Sequence, residues 1–335
     1  MGEKDTTIEG KEEHMVEPVE FDLSRPPESL WRDAWRRLLR NRAAVASAIF
    51  IIVIALASLF ADDAIIAWAL DRDARPLVAP YGYKDVDFVH TRSSPSLQRT
   101  EDGGFPHIMG TDKYGRDVFS RVVYGGRVSI SIGIICSLVI LIFGLVYGSI
   151  SGYMGGRVDT LMMRFVDLMY AFPTLLFIIL IMVIMGSTAG FPAVRNLVLA
   201  IGLVSWMGTA RLVRGQFLSV KEKEFVHAAR MVGAGDIRII SRHLLPNSLG
   251  PIIVSATLSI PGLIMFEATL SFIGLGVPPP FPSWGQMLNE GWRAMRVDPH
   301  LLIFPALMLS LTMLTFNFLG DGLRDALDPQ MRGTM

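Results

Sequence analysis

The sequence predicts an all-α polytopic membrane protein with six transmembrane helices and a structured cytoplasmic hairpin. Only 19% of the 335 residues are charged and the mean hydropathy is +0.43, whereas ordinary soluble domains carry about 25% charged residues. The apolar residues gather into runs that are long enough to cross a bilayer. These runs are apolar on every side and lack the charged face of a soluble amphipathic helix.

The first span is predicted from Ala43 to Phe60, a stretch without charged residues. A helix of about 18 residues reaches roughly 27 Å, close to the thickness of a bilayer's hydrocarbon core. Residues 1–42 are expected to precede it as a cytoplasmic tail. Residues 1–28 are acidic and poor in aromatic side chains, which is typical of disorder. Residues 29–39 have the pattern of an amphipathic helix, which either lies on the inner membrane surface or extends the first span.

The other spans follow a long loop, residues 61–127, which is expected outside the membrane. The core of five helices is predicted over residues 128–321, with a cytoplasmic tail at 322–335. Its spans are expected at about Val128–Ile150, Leu161–Met185, Leu197–Val220, Ile252–Leu275 and Leu301–Leu319. Prolines inside or beside these runs permit bends, at Pro173, Pro192, Pro261 and Pro305.

Basic residues near the helix ends predict the orientation of the chain in the membrane. Short cytoplasmic segments carry an excess of Lys and Arg, a rule that does not count long loops. Arginines cluster between Arg32 and Arg42, before the first span, and further basic residues follow the fourth span. Both segments are therefore expected in the cytoplasm, and with six spans both termini lie there too.

Two helix starts are visible outside the predicted spans. Asp117 is placed to cap a short helix that leads into the second span, and Ser283 with Gln286 has the spacing of a capping box. The arginines of the first of these segments, Arg116, Arg121 and Arg127, are expected at the level of the lipid headgroups.

The sequence contains no motif for catalysis or for cofactor binding. It has no GxxxxGK[ST] loop, and its histidines lack the HExxH pattern and other ligand spacings. The single Cys136 excludes a disulfide scaffold, and 31 basic against 31 acidic residues give no net field to hold nucleic acid. We therefore expect no enzyme, no metal or cofactor in this chain and no nucleic-acid partner, which leaves a transporter, a channel or a scaffold.

A cytoplasmic segment, residues 221–250, has the pattern of two short helices joined by a glycine turn. Apolar residues between Phe225 and Val232 share one helical face, and Gly233 and Gly235 then break that helix. A second helix follows and is expected to end or bend at Pro246. An ordered hairpin on a protein without its own energy source indicates a mechanical partner.

This segment resembles the EAA loop of permease subunits from ABC importers. The family pattern is Glu-Ala-Ala, then Gly four residues after the last Ala, then Leu-Pro. The matching residues are Ala228, Ala229, Gly233, Leu245 and Pro246. His227 stands where the pattern has Glu, although Glu224 lies nearby, and His243 stands where Ile is usual.

Longer motifs resemble the peptide and nickel branch of these importers, specifically the C-type subunit of dipeptide and oligopeptide permeases. They lie at residues 110–129, 164–176, 267–280 and 316–329. With the six spans, the resemblance covers nearly everything from about residue 30 to residue 330.

The resemblance implies a heterodimer with a B-type permease, two cytoplasmic ABC ATPases that bind ATP and Mg, and an external substrate-binding protein. It also implies the cytoplasmic (inner) membrane of a bacterium or archaeon. The implied ATPase-coupling residues are Glu224, His227, Ala228, Ala229, Gly233, Ala234, Gly235 and Pro246. Peptides, nickel chelates and some oligosaccharides are all carried by this branch, so the cargo stays open.

Polar residues inside the spans are candidates for the transport pathway or for contacts between helices, because each charge there is costly. They are Asp167, Glu267 and Asn317. Arg164 lies three residues before Asp167 and could pair with it. Two alternatives belong to other classes. One is a scaffold that keeps the fold without transport. The other is an ion-driven carrier, and the lack of an inverted repeat between the two halves of the sequence argues against it.

Overall fold

The computed structural model describes residues 30–62, 76–100, 103–186 and 190–328. The tail expected at residues 1–28 lies outside these ranges. The helices of the described residues are α1 (Leu30–Arg40), α2 (Arg42–Leu59), α3 (Val118–Met154), α4 (Gly156–Tyr170), α5 (Thr174–Met185), α6 (Phe191–Ser205), α7 (Met207–Lys221), α8 (Glu224–Met231), α9 (Asp236–Phe272), α10 (Trp284–Ala294) and α11 (His300–Leu327). Extended pairing in the same ranges is limited to two isolated bridges.

Four helices of the described chain, α2, α3, α9 and α11, are long and apolar enough to cross a membrane. Two bent pairs raise the number to six if each pair forms one span. The pair α6–α7 is bent by 46° and the pair α4–α5 by 84°. The fold is therefore that of a polytopic all-α membrane protein, as the sequence predicts.

The predicted span Leu161–Met185 is not one straight helix, because α4 and α5 meet at a bend of 84° beside Pro173, one of the prolines that permit a bend. Pro173 caps α5 with an extended backbone, at φ −61° and ψ 113°. Proline has no amide proton to give to the preceding turn, and it disfavours helical geometry in the residue before it, Phe172. The chain therefore leaves one helix axis at Tyr170 and starts another at Thr174.

The helix starts follow the capping residues in the sequence. The Asn41 side chain accepts from the Ala44 amide at 3.2 Å. Asp117 accepts from the Ser120 amide at 2.7 Å, and Ser283 from the Gln286 amide at 3.2 Å. The short helix that Asp117 caps runs without a break into the second span, and the two form one helix of 37 residues.

Close backbone contact joins α3 to α7 at the centre of the molecule. Gly144, Gly148 and Gly152 recur at every fourth position of α3 and face α7. A Cβ atom at Gly144 would lie 2.6 Å from Thr209, and one at Gly152 would lie 2.8 Å from Phe217. Small residues at this spacing allow helices in a membrane to approach closely, so α3 and α7 form one packed unit.

Two of the three arginines expected at the level of the lipid headgroups are buried inside the protein. Arg116 and Arg121 are buried. Arg121 donates to Asp112 and to Glu290, at 2.8 Å each, and Arg116 donates to Asp112 at 2.7 Å. This network holds the loop before α3 against α10. Arg127 lies nearer the surface and donates to Asp62 at 2.8 Å.

Candidate functional site

The segment 221–250 contains α8, a glycine turn and the first turns of α9. Gly233 has φ +81°, in the left-handed region that favours glycine. Its amide donates to the Arg230 carbonyl at 2.9 Å, and the Ala234 amide donates to the Ala229 carbonyl at 3.0 Å. These two bonds form a Schellman motif, which ends α8 and turns the chain into α9.

The second arm of the hairpin was expected to end or bend at Pro246, and it does not end there. The helix runs without a break from Asp236 to Phe272. A π-helical turn at Ile240–Leu244 precedes the proline, and the Leu245 amide donates to the Ile240 carbonyl. This wider turn accommodates a residue without an amide proton inside a helix. The hairpin is therefore continuous with the fifth span.

The inner face of the hairpin is packed against the membrane-spanning helices. Val226, Ile239 and Leu244 are buried in one cluster with Val213 and Phe217 of α7. Ala229 is buried too, so it points into the chain and away from solvent.

Polar contacts fasten the two arms to the end of α3. Lys221 Nζ donates to the Tyr153 carbonyl at 2.6 Å, and the Tyr153 hydroxyl donates to Asp236. With the apolar contacts of the inner face, these bonds make the hairpin a rigid extension of α3, α7 and α9.

The outer face of the hairpin exposes large apolar side chains. Met231 is 90% exposed, Val232 86% and Ile237 83%. Apart from the glycine itself and its chain neighbours, no atom lies within 4 Å of a Cβ built at Gly233 or at Gly235. Apolar side chains around an open glycine turn are typical of a surface that packs against another protein. We call residues 231–237 the hairpin tip.

The other implied coupling residues divide between the two faces. Glu224, His227 and Ala228 are exposed on α8, and Pro246 is exposed on α9. Ala234 is half-buried in the turn.

An ion pair near the hairpin was not found by sequence reasoning. Arg214 of α7 donates through Nε and Nη2 to the two carboxylate oxygens of Asp159 on α4, each at 2.5 Å. Ser151 of α3 donates to the same carboxylate at 2.5 Å. Bidentate pairs of this kind fix the relative orientation of their helices. The helices α3, α4 and α7 are thereby joined about two helical turns before α7 ends at the hairpin.

Asp167 takes a partner on another helix rather than Arg164, three residues before it. Arg211 of α7 donates to Asp167 at 2.5 Å and lies 4.4 Å from the centre of the Tyr170 ring. Both charged side chains are largely exposed, at 47% for Arg211 and 65% for Asp167. Asp167 lies inside a predicted span, and an exposed charge there does not suit a surface that faces lipid.

Glu267 is fully buried between α9 and α3. It accepts from the Ser129 hydroxyl at 2.8 Å and from the Ser271 hydroxyl at 2.6 Å. Ser129 in turn accepts from the Trp284 amide at 3.2 Å. The carboxyl group therefore joins α3, α9 and the start of α10, an arrangement that favours a contact between helices over a position in the pathway.

We predict that Glu267→Ala lowers the free energy of unfolding by about 2–4 kcal/mol, because two buried hydroxyls lose their acceptor and a cavity forms. Glu267→Gln keeps the volume and one acceptor oxygen, and it should be less harmful. Thermal unfolding of the purified chain checks this prediction. Unchanged stability of the Glu267→Ala chain would contradict the role of Glu267 as a contact between helices.

Asn317, the third polar candidate of the spans, is exposed on α11.

A separate cavity of about 710 Å³ lies between the loop after α2, the start of α3 and the start of α6. Charged and aromatic side chains line it, including Asp62, Lys84, Tyr124 and Arg127. The polar candidates of the spans are not part of its lining.

Comparison with known proteins gives consistent matches along the chain. Residues 144–333 match the family described as binding-protein-dependent transport system inner membrane component, and residues 29–95 match the N-terminal TM domain of oligopeptide transport permease C. A solved structure of the MetNI methionine ABC transporter, in an inward-facing conformation, has a similar fold, with a TM-score of 0.51 and 18% identity over 63% of this chain and 97% of that chain.

Curated relatives match nearly the whole chain. The oligopeptide transport system permease protein OppC of Haemophilus influenzae is 44% identical over 91% of this chain and 90% of that protein. The dipeptide transport system permease protein DppC of Bacillus subtilis is 39% identical over 92% and 89%. The glutathione transport system permease protein GsiD of Pectobacterium atrosepticum is 40% identical over 90% and 92%.

Permease subunits of this kind are not enzymes themselves, and they work in a complex with other membrane subunits and ATPases. The polytopic helical fold, the extent of both family matches and the similarity to curated relatives agree with one another. The chain belongs to the binding-protein-dependent transport family and is an inner membrane permease subunit of an ABC importer.

Proposed function

We propose that this chain forms half of the translocation pore of a peptide importer. The other half is a B-type permease, and two ABC ATPases, which bind ATP and Mg, attach to the cytoplasmic side. An external substrate-binding protein delivers the cargo. Oligopeptides or dipeptides are the proposed cargo class, because relatives that match along nearly the whole chain carry these names.

The hairpin tip is the observation that carries this proposal. The side chains of Met231, Val232 and Ile237 are each more than 80% exposed. They surround the turn that contains Gly233 and Gly235. Such a tip fits a groove on a partner protein that packs closely around it. The rigid attachment to α3, α7 and α9 lets movement of the ATPases pass directly into the spans, as in domain rotations about packed interfaces.

Asp167 and Arg211 support a polar face on the pore side of the subunit. Their ion pair lies exposed beside the bend between α4 and α5. A face of this kind suits a water-filled path or the second permease, and it suits lipid poorly. Asp167 is therefore our proposed pathway residue, ahead of Glu267 and Asn317.

The proposal is tested by reconstituting the permease pair with the ATPases and the binding protein in liposomes. We expect ATP-dependent uptake of the peptides that the purified binding protein retains. Uptake that proceeds without ATP, or that needs an ion gradient, would contradict the importer mechanism.

The proposed orientation predicts which loops are accessible from outside. In a Cys136→Ser background, Gln98→Cys on the loop before α3 should react with an impermeant thiol reagent that is added to intact cells. Arg238→Cys on the hairpin should react only after the membrane is opened. Both positions are exposed in the subunit, so protection reports sidedness. Labelling of position 238 in intact cells would reverse the orientation.

A further inference from the structure

Two histidines and two aspartates meet in the loop before α3, although their spacing in the sequence gives no metal motif. Asp87, His90 and His107 place one possible ligand atom each within 4.8 Å of one another. Asp117, the residue that caps α3, lies behind His107. Asp87 and His90 lie earlier in this loop, whereas His107 and Asp117 lie in its last part, next to α3.

His107 is the central residue of this cluster, and it is 5% exposed. Its Nδ1 atom lies 2.8 Å from Asp117 Oδ1. Since the other oxygen of Asp117 accepts from the Ser120 amide at 2.7 Å, this carboxylate acts as an acceptor, and Nδ1 carries the proton. In neutral imidazole the second ring nitrogen, Nε2, then presents a lone pair.

That lone pair has no hydrogen-bond partner, and it faces a second acceptor. Nε2 of His107 is buried without a partner, and it lies 3.7 Å from Asp87 Oδ2. This distance is too long for a hydrogen bond. Two acceptors that face each other repel, and a cation between them removes the conflict.

Asp87 is held so that one oxygen stays available. Its Oδ1 accepts from the Val89 amide at 2.9 Å and from the His90 amide at 3.1 Å. Its Oδ2 lies 2.7 Å from His90 Nδ1. These bonds fix the carboxylate so that Oδ2 faces His107 Nε2.

The geometry points to a site for a divalent transition metal ion, held by Asp87 Oδ2, His90 and His107 Nε2. Zinc bonds of about 2.0–2.1 Å to imidazole and carboxylate place neighbouring tetrahedral ligands about 3.4 Å apart. The separation of 3.7 Å between His107 and Asp87 is close to this value. When the metal replaces the hydrogen bond between His90 Nδ1 and Asp87, the Nδ1 proton leaves to solvent and Nε2 takes one up from solvent, so the ring stays neutral.

The surroundings suit zinc and similar ions better than calcium or magnesium. Two imidazoles with one carboxylate favour Zn²⁺, Cu²⁺ or Ni²⁺, whereas Ca²⁺ and Mg²⁺ need mostly oxygen ligands. Asp117 behind His107 is the carboxylate that commonly orients a ligating histidine. The metal ties the turn at residues 87–90 to the start of α3. This site is independent of the proposed cargo and of the hairpin.

The test uses the full-length chain in lipid nanodiscs, purified through a tag without histidine. After chelation and dialysis against ZnCl₂, we expect about one zinc per chain by elemental analysis and a higher melting temperature. Co²⁺ should give the intense visible absorption of a low-coordinate site. MgCl₂ and CaCl₂ should change neither measurement.

His107→Asn keeps a donor for Asp117 and removes Nε2, and His90→Gln changes a ring that is only partly buried. Both should reduce bound zinc at least tenfold and abolish the zinc-dependent rise in melting temperature. His300→Asn is the matched control, because His300 is a buried histidine nearby that contacts the Thr111 carbonyl. Absence of stoichiometric zinc in the parent, or retention of zinc by the His90→Gln chain, would overturn the site even if His107→Asn fails to fold.

Discussion

Importers that carry Gly233→Trp are expected to insert normally into the membrane and to lose uptake to below about a tenth of the parent. Gly233 adopts a left-handed backbone at φ +81°, which costs a residue with a side chain about 1–2 kcal/mol. The new side chain would also start in open space, since a Cβ atom there meets nothing within 4 Å beyond its chain neighbours, and it would extend into the space that we assign to an ATPase. ATPase co-purification and uptake in liposomes measure the two effects separately.

A second change at the hairpin tip separates loss of contact from distortion of the turn. Ile237 is 83% exposed, so Ile237→Asp should leave the subunit's own stability unchanged. A buried, unpaired charge at the interface should weaken ATPase binding by on the order of tenfold or more. Leu97→Asp is the matched control, because Leu97 is 82% exposed on the loop before α3. If Ile237→Asp chains retain the ATPases as the parent does, the tip is not the contact.

The buried aspartate before α3 should give the largest effect on stability. Asp112 accepts from Arg116 and Arg121, and the side chains of Asp112 and Arg121 are 4% and 3% exposed. Asp112→Ala leaves buried guanidinium groups without this partner, and we expect the free energy of unfolding to fall by about 3 kcal/mol or more. The melting temperature should fall by roughly 6–12 °C.

Two further variants identify charge as the cause. Asp112→Asn keeps the acceptor oxygen that bonds to the Tyr114 and Arg116 amides but removes the charge, so most of the loss should persist. Lys113→Ala changes an exposed neighbour and should lie within about 0.5 kcal/mol of the parent. Equal stability of Asp112→Asn and the parent would show that the ion network contributes nothing.

The elements that the sequence predicts well are those set by nearby residues. The apolar runs and the caps at Asp117 and Ser283 act within a few positions, and the structure has helices that start where these caps lie. Prolines were less informative. Pro261 and Pro305 lie inside unbroken helices, whereas the chain bends by 84° beside Pro173, because the packing around each proline decides whether a bend forms.

The missed contacts join residues far apart in the chain. Arg214 and Asp159 are separated by 55 positions, and Arg121 and Glu290 by 169. No local pattern reveals such partners, because the fold alone brings them together. A surface position for Arg121 was the reasonable expectation from its sequence neighbours, and its burial follows from the position of α10.

The length of α3 has a mechanical consequence. Its 37 residues form a rod of about 55 Å, with the Asp117 cap and its loop at one end and the Tyr153 contact with the hairpin at the other. The glycine contacts with α7 stiffen this rod along its second half. If the hairpin moves, α3 transmits the movement to its other end by tilting or rotating as one rigid helix. The bend between α4 and α5 is where the neighbouring helices can change their angle.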